Sequence, residues 1–222
     1  MRTSVAELDT LFTSAIAQRR RAPGSDIISE LVSAMDAGEL TDGELSRLCH
    51  LLLIAGFETT VNLISNGTLA LVNHPDQWSA LRANPELAEA VVEETLRWNP
   101  PVHATIRVAQ EPVRIAGHDL PTDSNILTLL AGAGRDPAVH AHPDTFDVTR
   151  PDRGDHLAFS GGIHFCLGAP LARMEAEAAF RGLARRLPGL LPAGAPTRRP
   201  TAILHGLASL PLTVDSREAR SL

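Results

Sequence analysis

Apolar residues recur at helical spacing over most of the chain, and the interruptions between these runs are rich in Pro, Gly and Asn. A first amphipathic stretch ends at Arg19-Arg20-Arg21 followed by Ala-Pro-Gly, with cations at the negative end of the helix dipole; this reads as a solvated helix terminus. Thr41-Asp-Gly-Glu44 has the form of a capping box and should open a helix running from about 42 to 73, where His74-Pro75 stops it. That helix would be roughly 45–50 Å long. Its middle, from Leu48 to Ile64, is apolar nearly all round, which predicts burial on every side.

Pro75 should start a short helix to about Arg82. Asn84-Pro85 then caps a helix of about 85–98, ended by Asn99-Pro100-Pro101. Between Thr105 and Leu130 the pattern becomes strand-like, with Val113–Gly117 and Ile126–Leu130 as runs and His118–Asn125 as turn material. A loop-rich stretch from Gly132 to Gly162 precedes a helix of about 166–187 that Pro188 should end, and the tail 201–215 suggests a short hairpin. The fold class is mostly α with small β-sheets.

Composition narrows the function classes. With 222 residues, 44% of them hydrophobic, the chain can bury a real core. A net charge of -6 argues against a nucleic-acid coat, and all 20 cationic side chains are Arg. The N-terminal residues lack the layout of a secretory signal, and the longest apolar run, Leu48 to Val61, is short for a bilayer span and carries Glu58. Two cysteines, Cys49 and Cys166, allow no disulfide framework, so a reducing, cytoplasmic setting without a membrane partner is expected. His140-Ala-His142 offers no further metal ligands nearby and is expected to face solvent.

Three local patterns carry chemistry. In the loop 159–168, small-residue turns flank Cys166 at the expected start of a helix, where dipole and backbone N–H groups favour a thiolate. Read alone, Cys166 also fits a small buried hydrophobe. Ala55-Gly56-Phe57-Glu58-Thr59 sets an acid and hydroxyls in the apolar helix; a solvent-facing Glu beside a helix-bonded Thr is the plain alternative. Glu94 and Arg97, three apart, share a helix face and fit an ordinary exposed ion pair as well.

Together these patterns resemble the cytochrome P450 family. Phe159-Ser-Gly-Gly162-Ile-His164-Phe-Cys166-Leu-Gly168 is similar at each defined position to its signature Phe-x-x-Gly-x-His/Arg-x-Cys-x-Gly. Ala55–Thr59 resembles the family's oxygen-binding groove, Ala-Gly-x-Asp/Glu-Thr, and Glu94–Arg97 its ExxR motif. The resemblance implies the C-terminal, haem-binding part of that fold across residues 1–222. It implies haem b held by Cys166, with Ala55, Gly56, Phe159 and Gly168 beside it and Arg107 and His164 gripping its propionates; a solvated strand edge is the plain alternative for Arg107. Thr59 and Glu58 would steady dioxygen and relay protons, with Thr60 able to share the work. Arg150 would join Glu94 and Arg97 in a structural triad.

By the same resemblance the function is a monooxygenase acting on a small apolar organic substrate, with electrons from a ferredoxin and its reductase. Substrate contacts would come from 53–60, 102–105 and 206–207. Family domains are nearly twice as long, so the apolar helix around Leu51–Ile64 is expected to lie partly uncovered, whether through a late gene start, a fragment, or a partner chain that supplies the rest. Two other readings stay open: a non-catalytic remnant or interaction protein of the same fold, and peroxide-driven oxygenation, which the acid–alcohol pair disfavours.

Overall fold

The computed structural model describes residues 2–151, 154–187 and 189–215. It divides into two units, Met1–Glu58 and Thr59–Leu222.

In the first unit, α1 (Arg2–Arg21) and α2 (Ile27–Asp36) pack with the start of α3 (Asp42–Asn73). Phe12, Val32, Leu45 and Cys49 form its core. Asp26 caps α2 by accepting from the Ser29 amide at 3.0 Å, and it pairs with Arg19. Arg20 meets Asp42 at 2.5 Å, so two of the three terminal arginines are tied into the unit rather than merely solvated. The capping box forms at the start of α3: the Thr41 amide donates to Glu44 at 2.8 Å and the Glu44 amide to Thr41 at 3.3 Å.

In α3 the burial on every side that periodicity predicts does not occur, and the partial exposure expected around Leu51–Ile64 does. Leu51, Leu53, Ile54, Phe57 and Val61 are all exposed, Phe57 at 68%. Periodicity reports apolar character and says nothing about which neighbours exist to cover it. By length and composition α3 is also long and apolar enough to cross a membrane.

The second unit is built around α5 (Ala88–Trp98). The C-terminal part of α3, α4 (Pro75–Ala83), α5 and α7 (Ala169–Arg186) contribute Leu71, Trp78, Leu81, Val91, Val92, Leu96 and Phe180 to one core. Gly67 lets α3 approach: a Cβ there would stand 2.4 Å from the Phe180 ring and 2.8 Å from Thr95 Oγ1. The segment after Asn84 starts as a tight 3₁₀ turn, Pro85–Leu87, before α5 proper.

Among the described residues, this unit also holds four two-stranded antiparallel sheets. The strand β1 (Ala104–Val108) pairs with β4 (Asn125–Leu129), setting Arg107 opposite Ile126. Residues His118–Leu120, expected as turn, form β3, which pairs with β2 (Val113–Ile115). The reversal is only Ala116-Gly117, both at positive φ, the geometry of a tight hairpin turn. A short helix α6 (Leu130–Ala133) follows β4.

The tail does not close on itself as a hairpin. Instead β7 (Leu207–Ser209) pairs with β6 (Thr197–Arg198), and β8 (Leu212–Val214) pairs with β5 (Leu190–Pro192). Leu210-Pro211 between them sends the chain from one sheet to the next, and the Pro211 carbonyl accepts from Ala193. The last helix begins at Ala169, three residues later than expected, with Pro170 in its first turn and Gly168 as its cap. Pro188, expected to end it, lies outside the described residues.

Gly67→Ala should overpack the α3–α7 contact and cost about 1–3 kcal/mol, measured as a lower midpoint in urea unfolding; an unchanged midpoint would mean that the helices are not so close.

Candidate haem-thiolate site

Two charged clusters and one loop make up the site in the second unit, and α5 links them. Glu94 and Arg97, a helical turn apart on α5, are both fully buried. Arg97 uses all five of its N–H donors. Nε and one Nη reach the two Glu94 oxygens at 2.7 Å each. The rest reach the carbonyls of Gly134 (2.7 Å), Pro143 (2.8 Å) and Thr145 (2.9 Å). Glu94 is met in turn by the Asp147 amide at 2.8 Å and by Arg150 Nε at 3.4 Å. Arg150, 6% exposed, also donates to the carbonyls of Ala141 and His142. The structure thus brings Glu94, Arg97 and Arg150 together. Gly134 fits beneath Arg97 because it has no Cβ, which would fall 2.2 Å from the Arg97 carbonyl.

Wrapping 134–150 around these arginines also buries His140, which sequence reasoning had left in solvent. His142 is exposed, and no group of three or more metal-ligating side chains occurs among the described residues.

The Cys166 loop lies nearby in the chain's second unit. Its backbone turns at Ser160 and Gly162, both at φ +61, and a 3₁₀ turn spans Gly162–His164. The Cys166 amide donates to the Phe159 carbonyl at 3.0 Å, and the Cys166 carbonyl accepts from Ala169 at 3.2 Å. The thiol therefore precedes the first turn of α7 rather than sitting inside it. It is exposed, and Ile163 (98% exposed), Leu167 (89%) and Phe165 (56%) are apolar neighbours in the same exposed loop. Nothing stands within 4 Å of where a Cβ on Gly161 or Gly162 would be, and a Cβ on Gly168 would lie 3.9 Å from the Cys166 sulfur.

Charge lines one edge. Arg107 on β1 reaches across to Ser160 Oγ at 3.3 Å, and His164 is exposed in the loop itself. An open thiol in an apolar surface, with a guanidinium beside the same loop, fits a flat apolar group that carries anionic substituents. Phe159 is half-buried and packs inward, its ring 4.6 Å beneath the Arg173 guanidinium and 6.4 Å from Phe165, so it supports the loop from below.

Sequence reasoning missed the second charged cluster. Glu93 on α5 accepts from Arg173 on α7 at 2.7 and 3.1 Å and from His156 at 3.1 Å. The other His156 ring nitrogen accepts from the Ala158 amide at 3.3 Å, which leaves the hydrogen on Nε2 to face Glu93. Burial by itself raises the Glu93 pKa, but the hydrogen bonds from His156 and Arg173 and the cationic charge beside the carboxylate outweigh it and hold the carboxyl at about 2. The only signal in the sequence was a second acid beside Glu94, with nothing local to tie it to residues 63 and 80 positions away.

The remaining candidates are placed as follows. Ala55, Gly56 and Glu58 belong to the first unit, Glu58 half-buried; Thr59 opens the second, half-buried, and Thr60 is buried. The helix runs through them without interruption. Val102 bridges Leu204, and Asn66 donates to the His205 carbonyl at 2.8 Å, so 102–104, 204–206 and α3 meet. A Cβ on Gly206 would collide with Asn62. Burial, with lesser repulsion from His103 and Arg198, pushes His205 down to about 4.

Removing Arg97 by Arg97→Met takes two charge-assisted hydrogen bonds from the buried Glu94 and leaves it only the Asp147 amide and the longer Arg150 contact; a loss of about 3–5 kcal/mol in urea unfolding is expected, and a loss under 1 kcal/mol would mean that Arg150 or water takes over. A depressed carboxyl gives stability above its unfolded pKa and loses it as pH falls. Glu93 should thus support the fold in full above about pH 4.5, lose that contribution progressively as pH falls, and keep none below about 2, with carboxyl-resolved NMR titration as the check.

Comparison with known proteins identifies the family. The model of the family described as "Cytochrome P450" matches residues 5–187. The cytochrome P450 monooxygenase PikC of Streptomyces venezuelae is 44% identical over 216 residues, which are 95% of this chain and 52% of PikC. The biotin biosynthesis cytochrome P450 of Bacillus subtilis is 43% identical, over 92% of this chain and 52% of its own. Among solved structures, Mycobacterium smegmatis CYP164A2 with econazole bound superposes at a TM-score of 0.89 and 44% identity, covering 94% of this chain and 52% of that one. The chain spans about half the length of the curated relatives it matches. The partial helical fold, the cysteine loop and these likenesses lead to one statement: the chain belongs to the cytochrome P450 family and forms part of its fold.

Proposed function

We propose that this chain is the haem-holding part of a monooxygenase that inserts one oxygen atom from dioxygen into an apolar organic substrate. The observation that carries the reading is the exposed Cys166 thiol in an apolar loop surface, with the Arg107 guanidinium against the same loop. Cys166 is the iron ligand, with Arg107 and His164 as partners of the propionates and Gly168 beside the sulfur. Haem b held by these residues would supply an iron whose thiolate ligand favours cleavage of the O–O bond.

The chain's own residues do the rest. The apolar loop surface of Ile163, Phe165 and Leu167 would keep water from a haem held against it. Glu94, Arg97 and Arg150 hold the 134–150 segment against α5. The Thr59 hydroxyl holds a hydrogen bond for dioxygen and the Glu58 carboxylate passes protons to it, roles carried over from the Ala55–Thr59 resemblance. Residues 102–105 and 206–207 supply an apolar wall for the substrate, and a ferredoxin with its reductase supplies electrons in the cytoplasm.

A second reading has an observation of its own. The exposed apolar side chains of α3, in a chain that spans half the length of its relatives, suit a remnant or interaction protein of the same fold without turnover. Retained Cys166, Glu58 and Thr59 favour the enzyme.

The chain expressed with haem supplied, reduced and exposed to carbon monoxide should show the red-shifted Soret band of thiolate ligation, and Cys166→Ser should abolish it. Absence of haem uptake would favour the remnant, and an unchanged band in Cys166→Ser would end the thiolate assignment.

A further inference from the structure

The outer face of the Cys166 loop makes no contribution to holding it, since Ile163 and Leu167 are almost wholly exposed. Its internal hydrogen bonds are local, linking Leu157 to Ser160, Gly161 to His164, Gly162 to Phe165 and Phe159 to Cys166. Bonds of this kind shape the loop without fixing where it stands. Apart from Arg107 on Ser160 and the inward-packed Phe159, what fixes its position lies on the inner side, at the two ends where the loop joins the rest of the unit.

Both ends converge on one carboxylate. His156, ten residues before Cys166, is 2% exposed at its side chain and meets Glu93 Oε2. Arg173, seven residues after Cys166, meets both Glu93 oxygens and covers the Phe159 ring. The Glu93 side chain is 13% exposed, so water competes weakly for these bonds. Glu93 and Glu94 are successive on a helix, about 100° apart around its axis. One turns to Arg97 and Arg150, the other to His156 and Arg173.

We propose that Glu93 is a positioning residue that clasps the Cys166 loop from both sides, through His156 before it and Arg173 after it. Its consequence for the iron rests on the haem-thiolate reading. The clasp is separate from the Glu94 cluster: Glu94 holds the 134–150 segment, whereas Glu93 sets the height and tilt of the loop over α5. Arg173 acts twice, as an arm of the clasp and as the lid under which Phe159 is held.

The test is Glu93→Gln, which keeps shape and removes charge, read by hydrogen exchange of residues 155–168 and by the carbonyl spectrum of the haem-loaded chain. Exchange in that segment should rise about tenfold or more while the first unit is unchanged. Part of the thiolate Soret band should move to the position of a neutral axial ligand. Arg173→Lys, which keeps the charge but loses the fork, should fall between the two.

Unchanged loop exchange in a folded Glu93→Gln chain overturns the proposal, whatever the haem does. Faster exchange with an unaltered thiolate band also overturns it, because the loop would then be held without positioning the sulfur. If Glu93→Gln does not fold, His156→Gln removes one arm alone and must show the same loop-restricted rise. Faster loop exchange in chains that never show a thiolate band overturns the haem reading and leaves Glu93 as the anchor of the loop.

Discussion

The Arg97 guanidinium, fully buried with all five donors engaged, is the constraint on which the second unit depends. A cation in such a place is costly unless each N–H finds an acceptor, so the chain around it has little choice of path. Two acceptors come from Glu94 on the same helix. The other three are carbonyls of 134–145, which must therefore bend around the guanidinium. The segment carries no regular structure beyond one short turn of helix before it, yet it is pinned as firmly as a strand.

That constraint propagates along α5. The helix is buried on most sides by Val91, Val92 and Leu96, and it presents two adjacent carboxylates in different directions. One organises the irregular segment, and the other faces the supports of the cysteine loop. The loop can then leave Ile163, Phe165 and Leu167 to the outside, an arrangement that would be unstable in a segment relying on its own contacts. An apolar surface held open in this way is suited to covering by a flat apolar group, and Arg107 against Ser160 gives that surface a cationic margin.

In α3 a different balance holds. Its capping box and terminal His74 define its ends, and its far part contributes Leu63, Leu71 and Gly67 to a tightly packed core. Its near part carries Leu51, Leu53, Ile54 and Phe57 outward. A helix that is apolar all round needs cover all round, and relatives about twice as long have more chain with which to provide it.

Much of this was legible before any coordinates. Helix ends followed from Thr41–Glu44, Asn84-Pro85 and His74-Pro75, because caps and prolines act within a few residues of where they stand. The likeness of Phe159–Gly168 to the family signature was legible for the same reason: glycines and the cysteine lie in one short loop. What lay beyond the sequence was long-range partnership. Nothing local joins Glu93 to Arg173, buries His140, or sends β7 and β8 to separate sheets. Those outcomes were decided by tertiary structure, since the free energy of a buried charge or an apolar face depends on which distant groups arrive beside it, and spacing along a chain does not encode arrival.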